Sequence, residues 1–257
     1  MTLKTLVGRQ DHQCILDLKE WINMRLNKSK LLKFVRKSMT ELGYIEFEHP
    51  DVSDANVFVK KEGELFLTLG FTISRFYDDA FTANFYLART TTWALGGLDV
   101  PSNNYLRPGK LMSEKERLEI TVDPDCKKNP LNTDMWWNAF DAEGNYDMAS
   151  LASFTKAIRL TEGRVAKQPG IIEKIYASTR LEDRYNLVNK IIDTALAEKF
   201  CKYQDFLPKS DKKTLPLKWF KAAETVLRDE CSIKNINAYA VKSLAGDAFR
   251  VYTMRNL

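Results

Sequence analysis

A two-residue alternation runs through the first third of the chain. Leu65, Leu67, Leu69, Phe71 and Ile73 hold odd positions, with Phe66, Thr68, Gly70, Thr72 and Ser74 between them. After an interruption at Phe76-Tyr77-Asp78-Asp79-Ala80 the pattern resumes with Phe81, Ala83, Phe85 and Leu87. Successive side chains on a strand point to opposite faces, so this predicts strands at 64–75 and 80–88, each with one buried face. Two shorter strands precede them, at 44–48 and 56–61. Between these, His49-Pro50-Asp51 turns the chain, because proline cannot donate to a ladder. Glu62-Gly63 reads as a tight hairpin turn. Four strands joined by short connections predict an antiparallel meander.

Helical spacing flanks this sheet. Ile15, Leu18, Ile22 and Leu26 predict an amphipathic helix over 11–27. A second follows, with Ser29 as N-cap, Leu31, Leu32, Val35, Met39 and Leu42 as the apolar stripe, and Gly43 in the left-handed C-terminal position. Residues 90–146 are broken by Gly96-Gly97, Pro101, Pro108-Gly109 and Pro130. One short helix is expected there at 113–119, where Ser113 and Glu116 have capping-box spacing. After Asp147 helices are expected near 148–166, 170–179, 182–202, 216–230 and 234–245. The predicted fold class is therefore α+β: N-terminal helices on a four-stranded antiparallel meander, then a helical C-terminal half. Residues 1–146 form the sheet domain, and 147–257 a helical domain or cap.

Composition adds two constraints. The 257 residues are 44% hydrophobic and 11% aromatic, which supports a sizeable core. No run approaches the roughly 20 apolar residues of a membrane span, and no secretory signal opens the chain. Cys14, Cys126, Cys201 and Cys231 are far apart and read as free thiols in a cytoplasmic protein. The net charge of +5 is uneven. Residues 151–257 hold 20 Lys+Arg against 12 Asp+Glu, while the first 150 hold 19 against 22. A basic half of this kind fits either an anionic partner or a lysine-rich solvated helical surface.

Candidate chemistry is sparse. The chain has no phosphate-cradling GxxxxGK[ST], no GxGxxG and no GxSxG. Only His12 and His49 are present, which excludes HExxH and histidine-rich metal sites. Asp123-Pro124-Asp125 offers two hard carboxylates for a divalent cation, and a metal-dependent hydrolase could use them. The same tripeptide is also an ordinary turn formula. Trp136 and Trp137 are the best recognition candidates, since tryptophan anchors many interfaces. Their structural alternative is a loop plug, with one indole filling the sheet and the other half exposed. Lys218-Trp219-Phe220-Lys221 interleaves bases with aromatics, as single-strand binders do. On a helix the same segment is amphipathic, with Leu217, Phe220 and Leu227 near one face and the lysines outside.

Four short pieces occur in a telling order: Leu42-Gly43-Tyr44, Phe81-Thr82-Ala83-Asn84-Phe85, Arg107-Pro108-Gly109-Lys110-Leu111 and Asp134-Met135-Trp136-Trp137. In this order, over residues 30–140, the chain resembles an uncharacterised bacterial family of small α+β proteins. Some members of that family look like immunity proteins of contact-dependent or type VI toxins. The resemblance implies a non-catalytic protein-binding module that blocks a toxin-like partner, with no cofactor and no transferable catalytic residue. Trp136, Trp137, Arg107 and Asp134 would form the partner surface. The alternative is a nucleic-acid-binding protein using Lys209, Lys212, Lys213, Lys218 and Lys221 of the basic half.

Overall fold

The computed structural model describes residues 25–48, 56–77, 79–91, 106–120, 133–197, 216–229 and 236–257. The chain is an α+β protein built on one antiparallel sheet of five strands, in the order β1-β2-β3-β4-β5. Helix α1 (Lys28–Glu41) buries Leu31, Phe34, Val35 and Met39. Its N-cap is Asn27, not Ser29. The Asn27 side chain accepts the Lys30 N–H at 3.0 Å, so the helix begins one residue before the serine. At the other end Gly43 has φ 84°. Tyr44 N–H donates to Met39 O and Gly43 N–H to Thr40 O, the paired bonds of a Schellman ending. That ending turns the chain directly into β1 (Ile45–Glu48).

Strands β2 (Asn56–Glu62) and β3 (Leu65–Ile73) form a hairpin. Glu62 pairs with Leu65, so the two-residue loop is Gly63-Glu64, not Glu62-Gly63. Gly63 takes φ 62°, as hairpin turns of this length demand. Strand β4 (Ala80–Ala88) pairs with β3 from Phe66↔Ala88 to Ile73↔Phe81. The meander is thus present, but β4 is not an edge. Strand β5 (Trp137–Asn138) pairs with Ala80 and Phe81, and Leu106 bridges Phe85 farther along.

Both faces of the central strands are covered, not one. The odd positions of β3 and β4 pack with α1 and with α3 (Met148–Val165) in one core. Phe81 and Trp137 both lie 5.2 Å from Phe154 by ring centroids, and Phe34 meets Phe81 edge-on. Phe47, Val57, Val59 and Phe66 join a second core on the opposite side. It is completed by α5 (Thr179–Leu196), α6 (Leu217–Asp229) and α7 (Ala238–Arg255). Two short helices finish the set, α2 (Glu114–Ile120) and α4 (Ile171–Ala177). The helices after Asp147 therefore divide between the two sides of the sheet. Even positions on β4 are polar yet buried because they are hydrogen-bonded: Thr82 donates to Met135 O, and Asn84 to Thr72.

Several helix ends follow their caps. Ser113 and Glu116 close the expected capping box: Ser113 N–H donates to Glu116 Oε2 at 2.8 Å, and Glu116 N–H to Ser113 Oγ at 3.3 Å. Asp147 caps α3 by accepting Ser150 N–H. Helix α5 starts at Thr179, ahead of the expected 182, because Ser178 caps it. Helix α7 runs on to Arg255, well past 245, because Val241, Leu244, Ala248 and Val251 keep one buried stripe. On α6 the expected face is corrected. Trp219, Ala222, Ala223, Val226 and Leu227 are buried, Leu217 is exposed, and Lys218 lies inside with its ammonium 5.4 Å from the Trp219 ring centroid. The predicted helix over 11–27 lies outside the described residues, apart from its last three positions.

Candidate functional site

The outer edge of β4 gathers a polar constellation from three separated segments. Arg107 precedes Pro108, which favours extended backbone at the residue before it, and Arg107 has φ −78° and ψ 146°. The Leu106 bridge to Phe85 sets Arg107 beside Asn84, and Arg107 Nε donates to Asn84 Oδ1 at 3.3 Å. The chain then makes a 3-10 turn over Pro108–Leu111, held from below by Arg117 donating to the Gly109 and Met112 carbonyls. Gly109 permits the next approach. A Cβ there would sit 2.3 Å from Thr133 O and 2.9 Å from Met135 Cγ. With no Cβ, the 133–136 segment lies flat against the turn.

That contact brings Asp134 and Trp136 onto Arg107. Arg107 and Asp134 form an ion pair, with side chains 25% and 52% exposed. The Arg107 guanidinium also lies 5.1 Å from the Trp136 ring centroid, within cation–π range. Thr82 anchors the segment from the sheet through Met135 O at 2.8 Å. Three of the four nominated residues thus share one ledge. Trp137 does not, because adjacent strand residues face opposite ways. It is 3% exposed in the first core, and its Nε1–H donates to Ser153 Oγ at 3.0 Å. Ser153 Oγ in turn donates to Ile120 O. One indole fills the core and its neighbour is half-buried at the surface. Asn84, Thr82 and Gly109 complete the ledge. Their types were visible in the sequence, but no spacing rule linked them to residues 23 to 53 positions away.

A second polar cluster ties the C-terminal end of β4 to the helices. Asp247 is fully buried on α7, where its Oδ1 accepts Thr91 N–H at 2.7 Å and the Thr91 hydroxyl at 2.8 Å. Its Oδ2 accepts Arg184 Nε at 2.9 Å, and Arg250 Nε donates to Thr91 Oγ1 at 2.9 Å. Nearby, Arg89 pairs with Glu182 and lies 3.5 Å from the Tyr185 ring centroid. Burial pushes the Tyr185 hydroxyl up, but hydrogen bonds with Arg89 and Asn189 and the charges of Arg255 and Arg89 outweigh it. The net direction is below the ordinary tyrosine value. Sequence reasoning missed this cluster. Its only local signal is Ser243, Asp247 and Arg250 at helical spacing on the buried face of α7.

The other nominated residues give less. Asp123 and Asp125, both histidines, all four cysteines, and Lys209, Lys212 and Lys213 lie outside the described residues. Lys221 is on the surface and Lys218 is not. Among the described residues no group of three or more His, Cys, Asp or Glu stands close enough to hold a metal ion. No helix among them is long and apolar enough to cross a membrane. No family model, curated protein or solved structure matches this chain.

Proposed function

We propose that the protein is a non-catalytic binding module that occupies a toxin-like protein partner through the Arg107–Asp134–Trp136 ledge. One observation carries this reading: residues nominated for recognition from three separate segments converge on a single rigid edge. Each side chain there is held by the others. Arg107 is fixed by Asp134, Asn84 and Trp136 together, so its guanidinium has little entropy left to lose on docking. A half-buried tryptophan beside a fixed arginine and an exposed carboxylate has the make-up of an interface anchor. The group offers shape and charge to a partner, with no nucleophile beside a general base.

The test is affinity capture by the tagged chain from its native lysate, with and without nuclease. The expected result is one stoichiometric protein that survives nuclease and about 0.5 M salt, and is lost with Trp136→Ala. Phosphate contacts weaken steeply over that salt range. Recovery of nucleic acid alone, released by nuclease or salt, would replace this reading with a nucleic-acid interface on the basic half.

A further inference from the structure

The β3–β4 hairpin ends in the most exposed large apolar side chain of the described residues. Phe76 is 91% exposed, and its neighbour Tyr77 is 65% exposed. Single exposed apolar residues are ordinary, but this pair is mounted on fixed backbone. Ser74 N–H donates to Ala80 O at 2.8 Å and closes the base of the loop. Ser74 Oγ accepts both the Phe76 and the Tyr77 N–H, at 3.1 and 3.0 Å. The hydroxyl thus holds the two amides that carry the aromatic rings, a serine turn that orders the tip. Arg75, also exposed, stands next to them.

We infer that this tip is an aromatic finger that inserts into an apolar, acid-rimmed pocket of the same protein partner that covers the Trp136 ledge. The inference rests on the binding function proposed above. Register puts the two features at one end of the sheet. Asn138 pairs with Ala80 at the root of the finger, Ala139 N–H donates to Asp79 O, and Trp136 sits level with Thr82. Five strand residues separate Thr82 from Tyr77, roughly 17 Å at about 3.4 Å per residue. An interface of ordinary size, about 800 Å² a side, spans both. The aromatic pair calls for an apolar pocket, and Arg75 calls for carboxylates at its mouth. A bilayer is the poorer fit. Stable anchoring there takes two strong signals, and two rings with one cation fall short of that.

The experiment compares Phe76→Ser/Tyr77→Ser, Arg75→Glu and Trp136→Ala in the full chain, using as probe the protein isolated on the wild-type chain. All three variants alter surface groups, so unchanged melting temperatures certify their folds. The expected result is at least a tenfold rise in Kd for the double variant and for Trp136→Ala. Arg75→Glu should weaken binding more at about 0.05 M salt than at about 0.5 M, where screening removes its contribution. A photo-crosslinker replacing Tyr77 should attach to partner residues that are apolar and bordered by Asp or Glu. An unchanged Kd for the double variant with loss for Trp136→Ala overturns the finger and leaves the ledge standing. Failure of the wild-type chain to hold any protein overturns both. Finger-dependent binding to vesicles of 30% phosphatidylglycerol in phosphatidylcholine, or finger-dependent self-association, assigns the tip a different occupant and overturns this one.

Discussion

Adjacent tryptophans with opposite environments give the sharpest quantitative expectation. Trp137→Ala removes an indole that is 3% exposed, packs edge-on against Phe154 at 5.2 Å and donates to Ser153. Large-to-small changes of this kind cost about 3–5 kcal/mol, the transfer term and the residual cavity together. The hydrogen bond contributes at the low end of its usual range. Ser153 keeps its own donation to Ile120 O after the indole is gone, so only an acceptor site is left empty. Trp137→Phe should therefore cost about 1–3 kcal/mol, mostly from volume. Trp136→Ala removes a half-buried ring whose one recorded aromatic contact is Arg107 at 5.1 Å. Its cost to stability should stay within about 1 kcal/mol.

Thermal and urea unfolding followed by far-ultraviolet circular dichroism separate the two. At this chain length about 1 kcal/mol moves Tm by roughly 2–4 °C. Trp137→Ala should then lower Tm by about 10 °C, while Trp136→Ala shifts it by no more than about 3 °C. Binding should show the reverse order, with Trp136→Ala abolishing capture. Equal Tm losses for the two variants would refute the assignment of one indole to the core and one to the surface.

Further expectations rest on other contacts. Glu116 is held at about 2 against an ordinary 4.5, first by the Arg164 hydrogen bonds and then by the Ser113 amide. Its stabilisation is therefore complete above about pH 4.5 and disappears as pH falls through about 2. For a side chain 24% exposed, screening leaves roughly 1–2 kcal/mol. The Tm gap between wild type and Glu116→Gln should be widest at pH 7 and close near pH 2; a gap independent of pH would contradict this. Gly109→Ala drives a methyl group into Thr133 O, so it should cost about 1–3 kcal/mol in urea and weaken capture by displacing Asp134 and Trp136. Asp247→Ala leaves Arg184 without its carboxylate and the Thr91 amide without its acceptor, and should cost about 3–5 kcal/mol. A loss under about 1 kcal/mol would show that solvent reaches that cluster.

Local rules carried much of the fold. The odd-position stripe located β3 and β4, Gly43 marked the end of α1, and the Ser113–Glu116 spacing found α2 before any tertiary contact was known. What failed was long-range. Thr68, Thr82 and Asn84 read as a solvent face because polarity was equated with exposure, yet all three are buried. Strand β5 is two residues long and cannot display a period. Lys218 looked external, although its charge lies by the Trp219 ring and its residue inside the core. Asp247 is satisfied by Thr91, 156 residues away, a pairing that no window along the chain contains. The ledge was half legible. Its residue types were nominated correctly as neighbours, but the division of Trp136 from Trp137 between surface and core follows from the register with β4.

That register also explains why a recognition surface would sit where it does. Strand β4 is buried along its whole length and pinned by β3 on one side and by Leu106 and β5 on the other. Its polar even positions cannot face water, so they serve as internal hydrogen-bond sockets. Thr82 receives the 133–136 segment and Asn84 receives Arg107. The loop residues inherit the rigidity of the most constrained strand in the sheet. A flexible loop would have to be ordered at each encounter, at about 0.5–1.5 kcal/mol per immobilised side chain, whereas this one is ordered already. Loss of Asn84 should therefore weaken binding without touching any atom of the partner. Asn84→Ala is expected to leave the Arg107–Asp134 pair intact but freer to move, raising Kd severalfold while Trp136 remains in place. Unaltered affinity in that variant would mean the ledge does not depend on its socket.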